Sequence, residues 1–223
     1  MDFSLIIAVR NEEENLKVIL KDFDTTLFKE IILVDGNSSD KSIEVSKSII
    51  PTIKIHHQIG IGKGSAMLQG AEIATSPYLI FIDADGSMDP KEISLIQKYL
   101  QEDFDLVKGT RRKFGGKSDD ITLFRSFGNI FFTYLTNLLF STKFSDLCYG
   151  YFGVKKLLLL NLDLQEKHFG IEAEIAIKSK LQGANIIEFP SHERNRLFGS
   201  SKLNSIKDGY EILKCILKCK LKN

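Results

Sequence analysis

Apolar and polar residues occur in alternating blocks through the first half of the chain, and these blocks predict strands and helices in turn. Segments rich in apolar residues at 3–9, 30–34, 53–57, 78–82 and 104–108 are typical of buried strands. Between them, apolar residues recur at helical spacing, which predicts helices over 12–23, 43–50, 65–74 and 90–100. This order predicts an α/β fold with a mostly parallel central sheet flanked by helices.

After about residue 110 the pattern changes, and one long apolar helix is the main feature. Helical spacing joins Phe127, Ile130, Phe131, Tyr134, Leu135, Leu138 and Leu139, with few charges between them. We predict that this helix packs on the sheet or on a partner subunit, and membrane contact is the alternative. Shorter elements are predicted at 149–154 and 185–189 as strands, and at 157–162 and 170–181 as helices.

The last predicted element, over 206–221, is a basic amphipathic helix. Its apolar side is formed by Tyr210, Leu213, Ile216, Leu217 and Leu221. Such a helix lies on an anionic membrane surface or packs on the domain. We therefore divide the chain into a domain over 1–203 and a C-terminal helical segment over 204–223.

Polar segments follow three of the predicted strands, at 10–14, 35–40 and 83–87. The carboxyl ends of parallel strands meet at one edge of a sheet, where ligands bind in open α/β folds. Asp83 and Asp85 are spaced i, i+2 and can face the same side. Two such carboxylates suit a hard cation, Mg²⁺ or Mn²⁺, that is itself bound to a diphosphate. The alternative is a solvated turn at the end of a strand.

Composition limits the function classes further. The chain has 223 residues and a net charge of +1, so no overall field favours nucleic acid. Three cysteines form no disulfide framework, which suits a reduced, cytoplasmic protein, and we expect Cys215 and Cys219 to be packing residues. The four histidines lack the spacing of metal ligands. We expect neither a signal peptide nor a membrane-spanning helix.

A glycine-rich loop at 60–64 precedes the predicted helix at 65–74. Its spacing matches neither the phosphate loop of nucleotide triphosphatases nor the dinucleotide-binding fingerprint. It is nevertheless a flexible loop with Lys63 near a helix N-terminus, which suits an anion or the edge of a nucleobase.

The polar segments resemble a known family in both order and spacing. The runs that match are IIAVRNEE at 6–13, ILVDGNSSD at 32–40, GKG at 62–64 and DADG at 83–86. They resemble the inverting family 2 glycosyltransferases of the GT-A fold. Segments at 108–111, 146–151, 170–172 and 196–203, together with Arg125, are similar to the branch that includes dolichyl-phosphate mannosyltransferases and bacterial polyprenyl-phosphate glycosyltransferases.

The resemblance implies a nucleotide-sugar donor, a UDP- or GDP-hexose, and transfer with inversion at the anomeric carbon. It places Ala8, Arg10, Glu12, Asp35 and Lys63 around the nucleoside. It places Asp83 at the ribose and metal, and Asp85 and Ser87 at the metal. Two residues depart from the family pattern: Ala8 replaces the usual proline, and Ser87 replaces a frequent glutamine and would coordinate through a water molecule.

Basic and acidic residues of the second half are further catalytic candidates. Arg196 and Lys202 are predicted to close over the diphosphate from a mobile loop at 197–201. A phosphate acceptor needs cations but no general base, and the candidate cations are Arg111, Arg112 and Arg125. A hydroxyl acceptor needs a carboxylate base, for which the candidates are Asp146, Glu172 and Glu174. Solvated helix faces are the alternative role for Glu172 and Glu174.

We therefore expect a metal-dependent enzyme that transfers a hexose to a polyprenyl phosphate, with peripheral contact at the cytoplasmic membrane face. A saccharide hydroxyl is the alternative acceptor. A sugar-nucleotide-binding subunit without turnover and a nucleotidyltransferase are the other classes, and a homo-oligomer stays open. Against a nucleotidyltransferase, the glycine- and arginine-rich loop typical after its first strand is missing, because residues 10–13 read Arg-Asn-Glu-Glu.

Overall fold

The computed structural model describes residues 2–221. A seven-stranded sheet forms the centre, and its strands are β1 (Phe3–Val9), β2 (Glu30–Asp35), β3 (Lys54–His57), β4 (Tyr78–Asp83), β5 (Leu106–Thr110), β7 (Phe152–Lys155) and β8 (Ile186–Pro190). The spatial order is β3-β2-β1-β4-β7-β5-β8. All neighbours are parallel except β7, which runs antiparallel to both β4 and β5. The predicted mostly parallel α/β sheet is confirmed.

Within residues 2–221, eight α-helices flank the sheet or follow it. They are α1 (Glu13–Ile19), α2 (Ser42–Ile49), α3 (Lys63–Ile73), α4 (Ile93–Gln101), α5 (Leu123–Phe140), α6 (Lys156–Asn161), α7 (Ile171–Leu181) and α8 (Ser205–Leu221). Short 3₁₀ turns lie at Thr25–Leu27 and Pro90–Glu92. The first predicted helix is shorter than expected, because its last turn loosens after Ile19.

A second, two-stranded sheet pairs β6 (Lys117–Ser118) with β9 (His192–Glu193). Neither strand was predicted from the sequence. Two residues are too few for a periodic apolar pattern, and only the tertiary pairing makes them strands. This small sheet holds the segment after β5 against the segment after β8.

The core has a layer on each side of the central sheet. Leu5, Ile7, Leu33 and Ile80 point into one layer, and Ile6, Ile32, Leu79 and Phe81 point into the other. Because side chains alternate along a strand, continuous apolar runs fill both layers, as the pattern of β1, β2 and β4 predicted.

The prediction that α5 packs on the sheet is wrong, because most of its apolar stripe is exposed. Packing on a partner subunit stays a prediction. The residues it buries most are polar: Asn129, Thr133 and Thr136. Most of its large apolar side chains are exposed, namely Leu123, Phe124, Phe127, Ile130, Phe131, Tyr134 and Leu138.

Helix α8 packs on α7 through one face, so it does contact the domain. Ile212, Cys215, Ile216 and Cys219 join Ala173, Ala176 and Ile177 in a third core cluster. The two cysteines are packing residues, as predicted. Residues 222 and 223 of the predicted C-terminal segment lie outside the described residues. Within residues 2–221, the helices lack the combination of length and hydropathy that a bilayer crossing requires.

Candidate active site

A cavity of about 560 Å³ opens at the carboxyl ends of β1 and β4 and extends to α5 and α8. Most of the predicted site residues line it: Ala8, Arg10, Glu12, Lys63, Asp83, Asp85, Ser87, Arg111, Arg125, Glu172, Arg196 and Lys202. Asp35, Asp146 and Glu174 do not. The convergence of loops from separate strands is the geometry expected for a ligand site in an open α/β sheet.

Lys63 lies at the floor of the cavity between two carboxylates. Its ammonium is 2.7 Å from Asp83 Oδ1 and 2.9 Å from Glu172 Oε1. Burial opposes the charge of Lys63, but the two carboxylates outweigh burial and raise its pKa. Lys63 therefore stays protonated and links the glycine-rich loop to Asp83 and Glu172.

Gly150 makes room for this arrangement. A Cβ atom at this position would lie 2.7 Å from Lys63 Nζ and 3.0 Å from Glu172 Oε1. A residue larger than glycine would therefore require the Lys63 ammonium or the Glu172 carboxylate to shift. From the sequence, Gly150 was noted only within the run 146–151 that resembles the family, because no sequence pattern places it beside Lys63.

Burial raises the pKa of Asp83, and the neighbouring Asp85 and Glu172 add to this, while Lys63 acts against it. Asp85 is held in place from its other side, because its Oδ1 accepts a hydrogen bond of 3.0 Å from the Ser87 backbone N–H. Ser87 is thus a neighbour that orients Asp85. Three carboxylates, those of Asp83, Asp85 and Glu172, therefore lie near one another at this end of the cavity.

Arg196 and Lys202 reach the cavity from the loop after β9, and both contact Glu12. Arg196 Nη1 is 2.8 Å from Glu12 Oε2, and Arg196 Nη2 is 3.4 Å from Asp85 Oδ2. Lys202 Nζ donates to the backbone carbonyl of Arg10 and lies 3.3 Å from Glu12 Oε1. Burial lowers the pKa of Arg196, but the contacts with Glu12 and Asp85 raise it overall.

The same loop is fixed by Asn15, a residue that the sequence analysis did not select. The Asn15 side chain accepts from the Phe198 backbone N–H at 2.9 Å and donates to the Phe198 carbonyl at 3.2 Å. The loop is therefore held beside the cavity, and its Arg196 and Lys202 side chains both contact Glu12.

Arg111 differs from its prediction, because two acids distant in sequence bind it. Its guanidinium is 2.7 Å from Asp146 Oδ2 and 3.1 Å from Glu193 Oε2, and it lies over the Tyr149 ring at 4.5 Å. Because Arg111 already contacts two carboxylates and an aromatic ring, it is better suited to hold these segments together than to bind an acceptor phosphate. Glu193 was missed because it belongs to the unpredicted strand β9.

Asp146 is fully buried and does not face the cavity. Burial acts to raise its pKa, but Arg111 outweighs burial and lowers the pKa to about 2. A carboxylate with this pKa and no exposure is a poor general base. Its burial and its ion pair with Arg111 therefore argue against a role for Asp146 as a general base.

Glu172 and Glu174 are both buried, so neither belongs to a solvated helix face. Glu174 accepts hydrogen bonds from the backbone N–H groups of Gln165 and Glu166 and pairs with Lys178 at 2.7 Å. Its role is to fix the loop before α7. Of these two, only Glu172 reaches the cavity.

Arg125 lines the cavity at the end near α5 and α8. Of the candidate acceptor-binding arginines that line the cavity, it has the fewest charged partners. It donates to the Leu203 carbonyl at 3.2 Å and to Ser205 Oγ at 3.4 Å. It forms no ion pair with any residue in 2–221. Arg112, in contrast, is held by Ser126 and does not line the cavity.

Asp35 ends β2, but its carboxylate is turned away from the cavity toward the following turn. Both oxygens accept from the Ser38 backbone N–H at 3.3 Å. Gly36 and Gln58 line the cavity beside it. Gln58 was not a candidate, because a single glutamine after a short strand has no distinctive sequence pattern.

Comparison with known proteins decides the family. The sequence profile described as "Glycosyl transferase family 2" matches residues 4–162. The chain belongs to this family. It is therefore a glycosyltransferase, and membership in the family decides against a nucleotidyltransferase.

Two curated relatives come from the archaeon Haloferax volcanii. A glycosyltransferase named AglJ is 26% identical over 207 residues, which cover 92% of this chain and 67% of the relative. A dolichyl-phosphate hexose transferase is 26% identical over 219 residues, covering 97% of this chain and 93% of the relative.

Among solved structures, glucosyl-3-phosphoglycerate synthase from Mycobacterium tuberculosis, crystallised with Mg²⁺ and uridine diphosphate, has a similar fold. The TM-score is 0.76 at 16% identity, over 97% of this chain and 78% of that one. This likeness supports the predicted GT-A fold.

Proposed function

We propose that the protein transfers a hexose with inversion from a UDP- or GDP-hexose to a polyprenyl phosphate, while it lies on the cytoplasmic face of a membrane. The observation on which this rests is the shape of the cavity. An acidic end at the sheet edge continues into an end that contains Arg125 and lies between two helices with outward apolar faces. A relative named as a dolichyl-phosphate hexose transferase supports the acceptor class.

The acidic end suits a divalent cation. Asp83 and Asp85 offer hard oxygen ligands. Burial raises the pKa of Asp83, the Asp85 and Glu172 carboxylates add to this rise, and a bound cation would oppose it. Within residues 2–221, no cluster of three or more acidic, histidine or cysteine side chains encloses such an ion. The diphosphate and water would therefore complete the coordination of an ion held by Asp83 and Asp85. Mg²⁺ or Mn²⁺, when bound there, supplies Lewis-acid stabilisation of the leaving diphosphate.

Arg196 and Lys202 supply positive charge at the same end. Both contact Glu12, and Arg196 also reaches Asp85. A donor diphosphate offers these cations a stronger charge-assisted contact than one carboxylate does. We infer that the two side chains transfer from Glu12 to the diphosphate when the donor binds.

The state of the acidic residues favours a phosphate acceptor over a saccharide hydroxyl. A hydroxyl needs a general base, yet Asp146 is bound to Arg111, Glu174 to backbone N–H groups, and Glu172 to Lys63. A phosphate is already a nucleophile and needs a cation to position it. Arg125, which forms no ion pair within the described chain, is the residue that supplies this cation.

The outward face of α5 supports a lipid environment for the acceptor. No charged residue occurs in 126–140, and seven large apolar side chains of the helix are exposed. Exposed apolar area on this scale is unusual in a monomeric soluble protein and marks a site of interaction.

Helix α8 extends this surface and adds positive charge. Its exposed Ile206, Tyr210, Leu217 and Leu221 form a stripe opposite the stripe that packs on α7. Helical spacing places Lys207, Lys214 and Lys218 along one side of the exposed stripe. Apolar side chains flanked by lysines are typical of helices that lie in an anionic membrane surface.

The cavity reaches this apolar face between α5 and α8. Phe124, Gly128 and Phe132 line it from α5, and Gly209 and Ile212 from α8. Added Cβ atoms at Gly128 and Gly209 would lie 3.9 and 3.7 Å from the Phe132 ring. Two glycines thus leave space around one phenylalanine, and a polyprenyl chain could extend from the membrane to place its phosphate near Arg125.

The decisive experiment gives the full chain a panel of UDP- and GDP-hexoses with Mg²⁺ or Mn²⁺, with and without polyprenyl phosphate. We expect a lipid-linked hexose with one donor. We further expect Asp85→Ala to lower the rate at least about 100-fold because a metal ligand is lost. Asp24→Ala, at an exposed cap far from the cavity, is the matched control.

Unchanged transfer by Asp85→Ala would refute the metal-binding role of Asp85. Glycosylation of a saccharide, with no lipid product from any donor, would show that the acceptor assignment is wrong. Nucleotide binding without transfer to any acceptor would favour a subunit without turnover.

A further inference from the structure

The β9–α8 loop, residues 194–204, joins the small sheet to the last helix and brings Arg196 and Lys202 to the cavity. All of its residues are exposed except Arg196 and Leu203, which are half-buried. A segment with few buried apolar contacts has low local stability. The position of the two cations therefore depends on the individual hydrogen bonds that hold this loop.

Asn15 on α1 makes two of these bonds with the backbone of Phe198. Its Oδ1 accepts from the Phe198 N–H at 2.9 Å, and its Nδ2 donates to the Phe198 carbonyl at 3.2 Å. Nδ2 also donates to Glu12 Oε2 at 2.6 Å, which accounts for both of its hydrogens. Asn15 is 3% exposed and does not line the cavity. It can therefore act on a bound ligand only through Phe198 and Glu12.

Glu12 is the carboxylate that both cations of the loop contact. It is 8% exposed, and Arg196 lies 2.8 Å and Lys202 3.3 Å from its oxygens. If the two cations turn to the donor diphosphate, Asn15 is the side chain within residues 2–221 that still donates to Glu12. A nearly buried carboxylate with no partner is strongly unfavourable. The Asn15 hydrogen bond thus allows the cations to exchange partners.

A second asparagine shows what this arrangement does elsewhere in the fold. Asn137 donates to the Phe144 carbonyl at 2.8 Å and accepts from the Phe144 N–H at 2.9 Å, the same pair of bonds. Phe144 is buried in the third core cluster, so packing also holds its segment. Phe198 is 47% exposed and belongs to no core cluster of residues 2–221. Its segment therefore relies on the asparagine far more.

We propose that Asn15 is a positioning residue for the donor diphosphate. It holds the β9–α8 loop beside the cavity before the donor binds, and it remains the partner of Glu12 when the two cations turn to the diphosphate. A loop that is ordered in advance loses less conformational freedom on binding, and this strengthens affinity. The inference rests on the proposed nucleotide-sugar donor, and it adds a residue that does not itself touch that donor.

Equilibrium binding of UDP, GDP, UMP and GMP to the full chain with Mn²⁺, measured by titration calorimetry, tests the proposal. We expect Asn15→Ala to weaken the tighter-binding diphosphate at least about tenfold, because the cations of the loop are no longer held in place. The corresponding monophosphate lacks the second phosphate with which these cations pair. Its affinity should therefore stay nearly unchanged, a difference that a general loss of stability would not produce.

Asn137→Ala is the matched control, because it removes the same pair of bonds outside the cavity and should leave nucleotide affinity unchanged. Asn15→Asp is the second variant. It keeps an acceptor for the Phe198 N–H but places another carboxylate beside Glu12, which holds the cations there, so the diphosphate should again bind more weakly. Thermal unfolding verifies that each variant is folded, and Asn15→Asp decides the test if Asn15→Ala is not.

Trypsin measures the position of the loop without any nucleotide. It cleaves after Arg194, Arg196 and Lys202 when the loop opens, at a rate that follows the population of the open form. We expect cleavage within the β9–α8 loop to be at least about fivefold faster in Asn15→Ala than in the native chain. Asn137→Ala should be cleaved there at the native rate, and mass spectrometry locates the cuts.

Native diphosphate affinity, or native cleavage of the loop, in folded Asn15→Ala would overturn the role of Asn15 while leaving the donor class intact. Equal weakening of the diphosphate and the monophosphate would show a general distortion of the nucleotide site and overturn the role as well. Failure of UDP and GDP to bind the native chain would overturn the proposed donor together with this inference.

Discussion

Helices α4 and α5 both have an apolar stripe at helical spacing, but they direct it to opposite sides. Helix α4 buries Ile93, Ile96 and Leu100 against the sheet. Helix α5 buries Asn129, Thr133 and Thr136 instead, and exposes residues such as Phe127. Periodicity thus predicted both helices correctly but gave the orientation of only one.

The reason is a polar network beneath α5. Asn129 donates to Asp146 at 2.7 Å and accepts from the Cys148 backbone N–H at 3.2 Å, and Thr133 accepts from the Leu147 backbone N–H at 3.1 Å. These bonds hold the segment that precedes β7 and lines the cavity. The apolar stripe is left facing outward, where a membrane surface can cover it.

Of the changes that test the network beneath α5, removing Asp146 should have the largest effect on stability. We expect Asp146→Ala to lower the free energy of unfolding by about 3–5 kcal/mol, because Arg111 would keep a buried charge that Glu193 compensates only in part. Urea denaturation followed by circular dichroism measures the change. Asp119→Ala removes a half-exposed partner of His192 and should cost no more than about 1 kcal/mol. Equal effects of the two variants would mean that the network does not hold α5.

Paired truncations test the orientation of the two stripes directly. Ile96→Ala on α4 should lower the free energy of unfolding by about 2–5 kcal/mol, because it empties a buried site. Phe127→Ala on α5 should change it by less than about 0.5 kcal/mol. In flotation with anionic vesicles, Phe127→Ala should bind the vesicles more weakly than the native chain, whereas Ile96→Ala should bind them equally well. A strongly destabilised Phe127→Ala protein would place that face in the core.

Flotation of the chain with and without residues 204–223 separates the contribution of α8 to membrane binding. Weaker flotation of the truncated chain is expected if its exposed stripe contacts lipid. Because α8 shares a core cluster with α7, the fold of the truncated chain has to be verified first. Equal flotation would leave α5 as the membrane contact.

Acid should weaken the network at a defined pH. The pKa of Asp146 is about 2 in the folded chain, below its value in an unfolded chain. Its contribution, about 2 kcal/mol, is therefore complete above about pH 4 and is lost as the pH falls through 2. The difference in free energy of unfolding between the native chain and Asp146→Asn should shrink over this interval. A constant difference would contradict the lowered pKa.

The smallest effect is expected at Thr136, whose buried hydroxyl has no hydrogen-bond partner among residues 2–221. Thr136→Val should raise the free energy of unfolding by up to about 1 kcal/mol, because it removes a desolvated polar group at constant shape. Thr133→Val is the contrasting variant, since it removes a bonded hydroxyl and should destabilise. Thermal denaturation of the two variants gives the comparison, and destabilisation of both would indicate an unseen partner of Thr136.

Much of the candidate site was predictable, because it follows from strands that are continuous apolar runs. Once β1 and β4 are recognised, Glu12, Asp83 and Asp85 must lie at one edge of the sheet. Lys63 was predictable as a site residue, but its two carboxylate partners were not. Glu172 and Gly150 reach it from segments about 87 to 109 residues further along the chain.

The sequence by itself determined the α/β architecture, the acidic edge of the sheet and the family to which the chain belongs. These depend on periodicity and on local motifs, which a linear pattern contains. Only the tertiary structure decided that Arg111 is bound by Asp146 and Glu193, that Gln58 faces the cavity, and that α5 points its apolar side outward. Each of these results from contacts between distant segments, where buried polar groups must find partners and thereby set which side of an element faces inward.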